Sequence, residues 1–179
     1  MSEAQDHQAH ESLAELSFLP MQVADLEEAL GIEAVSHLHP WTRGNFTDSL
    51  AAGHWAYCIR PQVEQAIKGS YLDPSVLWAY CILFPAVDEL HLLNITVSPK
   101  LRKLGLGSRI MASIESVAAQ QNIPRIILEV RPSNTAAIGL YHKLGYEQIG
   151  IRKNYYPASP NSGGREDAVV MAKSIKLEP

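Results

Sequence analysis

Between Ser98 and Arg109 the chain carries no acid, and Arg102-Lys103-Leu104-Gly105-Leu106-Gly107-Ser108-Arg109 packs three cations and two glycines into eight residues. Gly105 and Gly107 allow a tight turn and let a ligand approach the backbone amides closely. The helix expected after them points its unpaired N–H groups and the positive end of its dipole into that turn. Such a turn is suited to a pyrophosphate. The G-x-x-x-x-G-K-[ST] pattern is absent, and Ile110 breaks G-x-G-x-x-G. A bare Gly-x-Gly before a helix is also found in ordinary loops. Two further residues could do proton chemistry. Glu129 interrupts the apolar run Ile126-Ile127-Leu128-Glu129-Val130. It is either a general base or half of an ion pair with Arg131 or another cation. Tyr141 is either an aromatic in a helix–sheet core or a proton donor. His91 is a second candidate base. The seven histidines show no metal-ligand spacing, and His37-Leu38-His39 reads as a solvated helix exit.

These residues need elements to hold them. Leu16 to Met21 reads as a first strand, and Leu26, Leu30 and Ala34 mark a helix that Pro40 stops. Thr42 caps a second short helix over Arg43 to Ala52. A strand follows over 54–60, then a polar connection over 61–75 with a helical turn at its centre. Strands over 76–85 and 88–97, with a turn around Ala86 to Asp88, suggest an antiparallel hairpin. Leu106, Ile110, Ile114, Val117 and Ala118 stripe a helix from Gly107 to Gln121. Arg125–Val130 reads as a strand. The next helix carries Ala137, Leu140, Tyr141 and Leu144 on one side and ends at Gly145. A strand over 147–152, a loop over 153–167 and a closing strand over 168–173 complete the order. The alternation predicts an α/β fold of the α+β mixed-sheet kind, with about seven strands and about four helices in one domain. Residues 1–15 read as a flexible tail and 16–179 as the domain.

Composition excludes several classes. The chain has 179 residues, 46% hydrophobic and 19% charged, with net charge -4 and a pI near 6.0. Bulk electrostatic binding to nucleic acid or to an anionic membrane is not expected. The N-terminal stretch lacks the basic and apolar segments of a secretory signal, and no run is long enough for a membrane span. Cys58 and Cys81 lie in apolar strand patterns and read as buried thiols in a reducing compartment. A cytoplasmic protein, monomeric or weakly dimeric, is expected.

The stretch from Ser98 to Met111 resembles the Arg/Gln-x-x-Gly-x-Gly/Ala signature of the GNAT superfamily of N-acetyltransferases. Leu92 to Val97, Leu128 to Tyr146, Ile151 to Pro157 and Gly164 to Met171 extend the resemblance, as does His39-Pro40-Trp41-Thr42. These stretches are similar to the RimI-type branch, which acetylates the N-terminal alanine of a small-subunit ribosomal protein. The resemblance implies a GNAT fold whose central strands splay around acetyl-coenzyme A, the cosubstrate, with no metal. It implies that Arg102, Lys103, Leu104, Gly105, Leu106, Gly107 and Ser108 hold the diphosphate and that Asn134 also contacts the cofactor. The resemblance further implies that a backbone amide among Ile95, Thr96 and Val97 is the oxyanion donor. It implies that Glu129 is the general base, directly or through water, and that Tyr141 protonates or steadies the leaving thiolate. It implies that Pro40, Trp41, Tyr155 and Tyr156 line the groove for a protein N-terminus. Residues 158–163 form a longer stretch than is usual there, which bears on substrate preference. An α-amine has a pKa near 8 and a lysine amine one near 10.4, a gap of roughly 3.4 kcal/mol in deprotonation, so one glutamate serves the first more easily. The alternatives are a GNAT enzyme acting on a lysine side chain or small amine, and a non-catalytic module that binds acetyl-coenzyme A.

Overall fold

A computed structural model describes residues 16–62, 65–67, 70–72, 75–158 and 164–177. The expected tail, residues 1–15, and most of the stretch 158–163 lie outside the described residues. In chain order the elements are β1 (Leu16–Pro20), a 3-10 turn (Val23–Asp25), α1 (Leu26–Ser36), α2 (Arg43–Ala51), β2 (Trp55–Pro61), β3 (Gln65–Ile67), β4 (Ser70–Leu72), β5 (Ala79–Pro85), β6 (Leu90–Val97), a 3-10 turn (Pro99–Leu101), α3 (Leu106–Gln120), β7 (Arg125–Val130), α4 (Thr135–Lys143), β8 (Glu147–Tyr156) and β9 (Glu166–Ser174). Seven strands form one mixed sheet in the order β1-β2-β5-β6-β7-β9-β8. With four α-helices, this is the expected α/β architecture. Among the described residues, no helix is long and apolar enough to cross a membrane.

Two of the expected elements differ. The stretch 61–75 was expected to be a polar connection with a helical turn, but it contains an antiparallel hairpin, β3 with β4, registered from Gln65↔Leu72 to Ile67↔Ser70. Each strand is only three residues long, too short for its alternation to stand out in the sequence. The expected loop at 153–167 begins later, because β8 continues to Tyr156. Lys153 to Tyr156 lie on the edge strand, with the pairing to β9 resuming at Tyr156, and their largely polar, exposed character resembled that of a loop.

The chain divides into two compact units. The first comprises residues up to Ile82 together with Asn94–Arg109. In it β1 pairs antiparallel with β2 from Leu16↔Pro61 to Pro20↔Tyr57. Its core gathers Leu26 and Ala29 of α1, Phe46 of α2, Cys58 of β2, and Tyr80 and Ile82 of β5. Thr42 caps α2 as its sequence predicts, accepting from the Asn45 amide at 3.3 Å. Trp41, Phe46 and Tyr80 stack edge to face in series, with centroids 5.5 and 5.3 Å apart. Both cysteines are free and buried, as expected.

The second unit comprises Leu83–Leu93 and residues from Ile110 onward. β6 and β7 run parallel from Leu90↔Ile126 to Leu92↔Leu128, and β9 pairs antiparallel with both β7 and β8. Ile110, Met111, Ile114 and Ala118, on the expected stripe of α3, are buried. A 2.7 Å ion pair from Lys173 of β9 to Glu115 ties α3 to the sheet.

Candidate active site

The basic turn belongs to the first unit and is fixed from beneath. Leu101, Leu104 and Leu106 are buried in a cluster with Trp78, while Arg102 and Lys103 are exposed. The turn is made by positive φ at two residues, Gly105 (φ 80) and Lys103 (φ 63). Gly107 has no positive φ and lies in the first turn of α3, so only one of the two glycines serves the bend. A lysine in the left-handed region is uncommon and strained, and such residues gather at functional sites. The Arg109 amide donates to the Gly105 carbonyl at 3.2 Å, which opens the helical ladder. The amides before it carry the positive helix end. Arg102 Nε donates to the Val97 carbonyl at 3.3 Å, linking the turn to the end of β6.

Of the expected β6 residues, Ile95 and Val97 are half-buried and Thr96 is buried. Thr96 belongs to a polar network around Glu33 of α1, which is only 1% exposed. Glu33 Oε1 accepts from the Trp41 amide at 2.9 Å and from Asn94 Nδ2 at 3.3 Å. Glu33 Oε2 accepts from the Tyr80 hydroxyl and, at 3.2 Å, from the Thr96 hydroxyl. His37 Nε2 lies 2.7 Å from Thr96 Oγ1 and 3.4 Å from Glu33 Oε2. His37 is exposed at the helix exit, as expected, and its ring also joins this network. Burial first, then the Glu33 charge, pushes the Tyr80 phenol far above its usual pKa, so it keeps its proton and donates. The sequence does not mark Glu33, because a glutamate on an acidic helix looks like a surface residue. Pro40 is exposed and Trp41 half-buried.

In the second unit, Glu129 projects from β7 with its side chain 24% exposed. Its cation is Arg152 of β8, not Arg131, which pairs with Glu166 at 2.9 Å. Arg152 is largely exposed and lies over the Tyr155 ring at 5.1 Å. Tyr155 has a raised pKa, from burial first and then from its hydrogen bond to Glu129. Tyr156 is also raised, by burial and then by the Glu129 charge, and Arg131 sits 4.2 Å above its ring. The two tyrosines were expected on a loop; they end a strand. A register shift between Arg152↔Ala168 and Tyr156↔Glu166, with Asn154 at φ 53, bends β8 just before them. Arg165 fixes that bend by donating to the carbonyls of Asn154 (2.7 Å) and Tyr155 (2.6 Å), and Asp167 accepts from the Asn154 amide at 2.9 Å. Glu166 accepts from the Ser133 amide at 2.9 Å. Arg165 and Asp167 therefore brace residues 153–155, a role that spacing alone did not assign to them.

Tyr141 is buried on α4, with its ring centroid 5.9 Å from that of Tyr146. Burial pushes its phenol up to about 12. Asn134 caps α4, its side-chain oxygen accepting from the Ala137 amide at 3.2 Å. His91 is bound to Glu89 at 3.1 Å beside Phe84, and Glu89 also pairs with Arg125. Apart from Asn134 and Tyr141 at α4, the site residues thus fall into three groups: the turn, the network from Trp41 to Thr96, and the Glu129–Arg152–Tyr155 cluster.

Residues 26–146 match the model of the Acetyltransferase (GNAT) family. The chain is 32% identical over 157 residues to the protein named [ribosomal protein bS18]-alanine N-acetyltransferase of Escherichia coli strain K12, covering 88% of this chain and 96% of that one. The protein of the same name from Haemophilus influenzae is 32% identical over 152 residues, covering 85% and 94%. Among solved structures, the ribosomal-protein-S18-alanine N-acetyltransferase of Escherichia coli superposes with a TM-score of 0.76 at 29% identity, covering 92% of this chain and 96% of that one.

Proposed function

Because the chain belongs to the acetyltransferase (GNAT) family, we propose that it moves an acetyl group from acetyl-coenzyme A to the α-amine of a protein N-terminus. The N-terminal alanine of a small-subunit ribosomal protein is the substrate we favour, since the relatives similar along most of the chain carry that name. The observation that carries the chemical reading is Glu129. It is a carboxylate on a strand whose neighbours are apolar and buried, with an exposed guanidinium and a phenol as its partners. Solvent screens a pair whose guanidinium is this exposed, so an incoming ammonium can displace Arg152 at little cost.

The basic turn fits a diphosphate. Positive φ at Lys103 and Gly105, exposed cations at 102 and 103, and the opening amides of α3 together make an anion-binding concavity. Arg102 and Lys103, with the backbone of Leu104, Gly105, Leu106, Gly107 and Ser108, would hold the cosubstrate there. Leu104 and Leu106 contribute backbone only, since their side chains are buried. Acetyl-coenzyme A supplies the acetyl group as an activated thioester. Asn134 has already used its oxygen as a helix cap, so the side-chain NH₂ remains as its donor. The Thr96 side chain is engaged with Glu33, so among Ile95, Thr96 and Val97 the oxyanion donor we infer is a backbone amide.

Glu129 takes the proton of the substrate ammonium, directly or through a water, and leaves the amine nucleophilic. The Tyr141 phenol, held protonated to about 12, steadies the departing thiolate by donating a hydrogen bond. Pro40, Trp41, Tyr155 and Tyr156 receive the first residues of the peptide. Two buried free thiols support a reducing compartment, and we place the enzyme in the cytoplasm.

The test is incubation with acetyl-coenzyme A and a panel of ribosomal N-terminal peptides, read by mass. The acetyl group is expected on the α-amine of an alanine peptide. Transfer to lysine side chains instead would overturn the substrate assignment. Glu129→Gln should lower kcat about 10²-fold or more at neutral pH while coenzyme A binding persists. Full activity in that variant would remove Glu129 from the mechanism.

A further inference from the structure

We infer that Glu33, a buried acid of α1, is the positioning residue that holds the peptide-receiving loop in register with the end of β6. The inference rests on the reading of Trp41 as a substrate contact.

Glu33 joins four pieces of one unit through its two oxygens. On one oxygen converge the amide of Trp41, in the α1–α2 connection, and Asn94 of β6. On the other converge the hydroxyls of Tyr80, from β5, and Thr96, from β6, with His37 alongside. A carboxylate that is 1% exposed is costly unless donors satisfy it. The donors here come from the two places the proposed reaction must align: the loop of Pro40 and Trp41, and the strand that ends in Ile95, Thr96 and Val97. Core packing alone would have been served by an apolar residue at position 33. A carboxyl group with donors on both of its oxygens instead fixes one arrangement of loop and strand.

Glu33→Gln separates these roles. An amide has one accepting oxygen where the carboxylate has two, so one of the two faces loses its acceptor whichever way the amide turns. With the alanine-peptide substrate, KM for the peptide is expected to rise about tenfold from the mispositioned loop. Coenzyme A affinity, measured by calorimetry, should stay at the wild-type value. Tyr80→Phe keeps the ring against Phe46 and removes one donor; it should raise the peptide KM in the same direction by a smaller factor, and it serves if Glu33→Gln does not fold. If whichever of the two variants fold keep the wild-type peptide KM and merely melt earlier, Glu33 is structural and the inference is overturned. If the wild-type protein acetylates no peptide N-terminus, the functional reading fails first and takes this inference with it. An unchanged variant KM beside an active wild type strikes only the role of Glu33.

Discussion

Lys103 sits where the backbone alone would prefer glycine. Its φ of 63 costs a side-chain-bearing residue about 1–2 kcal/mol relative to the right-handed region. Lys103→Gly removes that strain, but glycine loses about 0.5–1 kcal/mol more entropy on folding. The two terms largely cancel, and stability should rise by about 1.5 kcal/mol at most, or roughly 3–6 °C in Tm for a chain of this length. Ligand binding behaves differently. A charge-assisted hydrogen bond to a phosphate is worth about 1.5–3 kcal/mol. At an exposed lysine the lower end applies, which is about a tenfold increase in Kd for coenzyme A. Lys103→Ala retains the strain and loses the charge, so it should weaken binding equally and melt at or below the glycine variant. The assays are titration calorimetry with coenzyme A at low and high salt, and thermal unfolding without ligand. The wild-type advantage should shrink as salt rises. If Lys103→Gly binds coenzyme A as tightly as wild type at low salt, the lysine is not a phosphate ligand and its strained backbone has no functional account.

Tyr141→Phe should lower kcat about tenfold or more with unchanged coenzyme A affinity. Because burial raises this phenol to about 12, it stays protonated across the working range; an alkaline fall in rate that disappears in the Phe variant would contradict that ordering. Gly145→Ala places a side chain at φ 86, with Lys173 Cε 3.9 Å from the new Cβ. The site is roomy but the backbone is not, so a loss of about 1–2 kcal/mol appears as a Tm lower by a few degrees, with kcat intact. A stable Gly145→Ala would mean that α4 can end another way.

The helices and the central strands are legible in the sequence because their signals are local. Thr42 before α2 and Gly145 after α4 act within a few residues of themselves, and the apolar stripe of α3 repeats along one element. The stretches that differ lie where pairing decides. Gln65–Ile67 and Ser70–Leu72 become strands through each other, and Lys153 to Tyr156 stay within β8 because β9 pairs on either side of the bulge, at Arg152 and Tyr156, while Arg165 and Asp167 hold the bend. Nothing in those residues taken alone separates an edge strand from a loop.

The two glutamates show the same division at the level of the site. Glu129 can be noticed because a charge within Ile126–Val130 breaks the pattern of its own strand. Its partner cannot be chosen that way: the sequence-adjacent Arg131 is drawn off by Glu166, and Arg152 arrives from across the sheet. Glu33 carries no such flag, since α1 already holds Glu27 and Glu28. What makes it unusual is burial. Burial of an acid is sustainable only where several donors converge, and here they come from residues 41, 80, 94 and 96, far apart in the chain. The energetic roles diverge accordingly. Glu129 keeps exposed partners that a substrate can replace, as the proposed role of base requires. Glu33 has both oxygens engaged by fixed donors, which suits it to holding loop and strand in register.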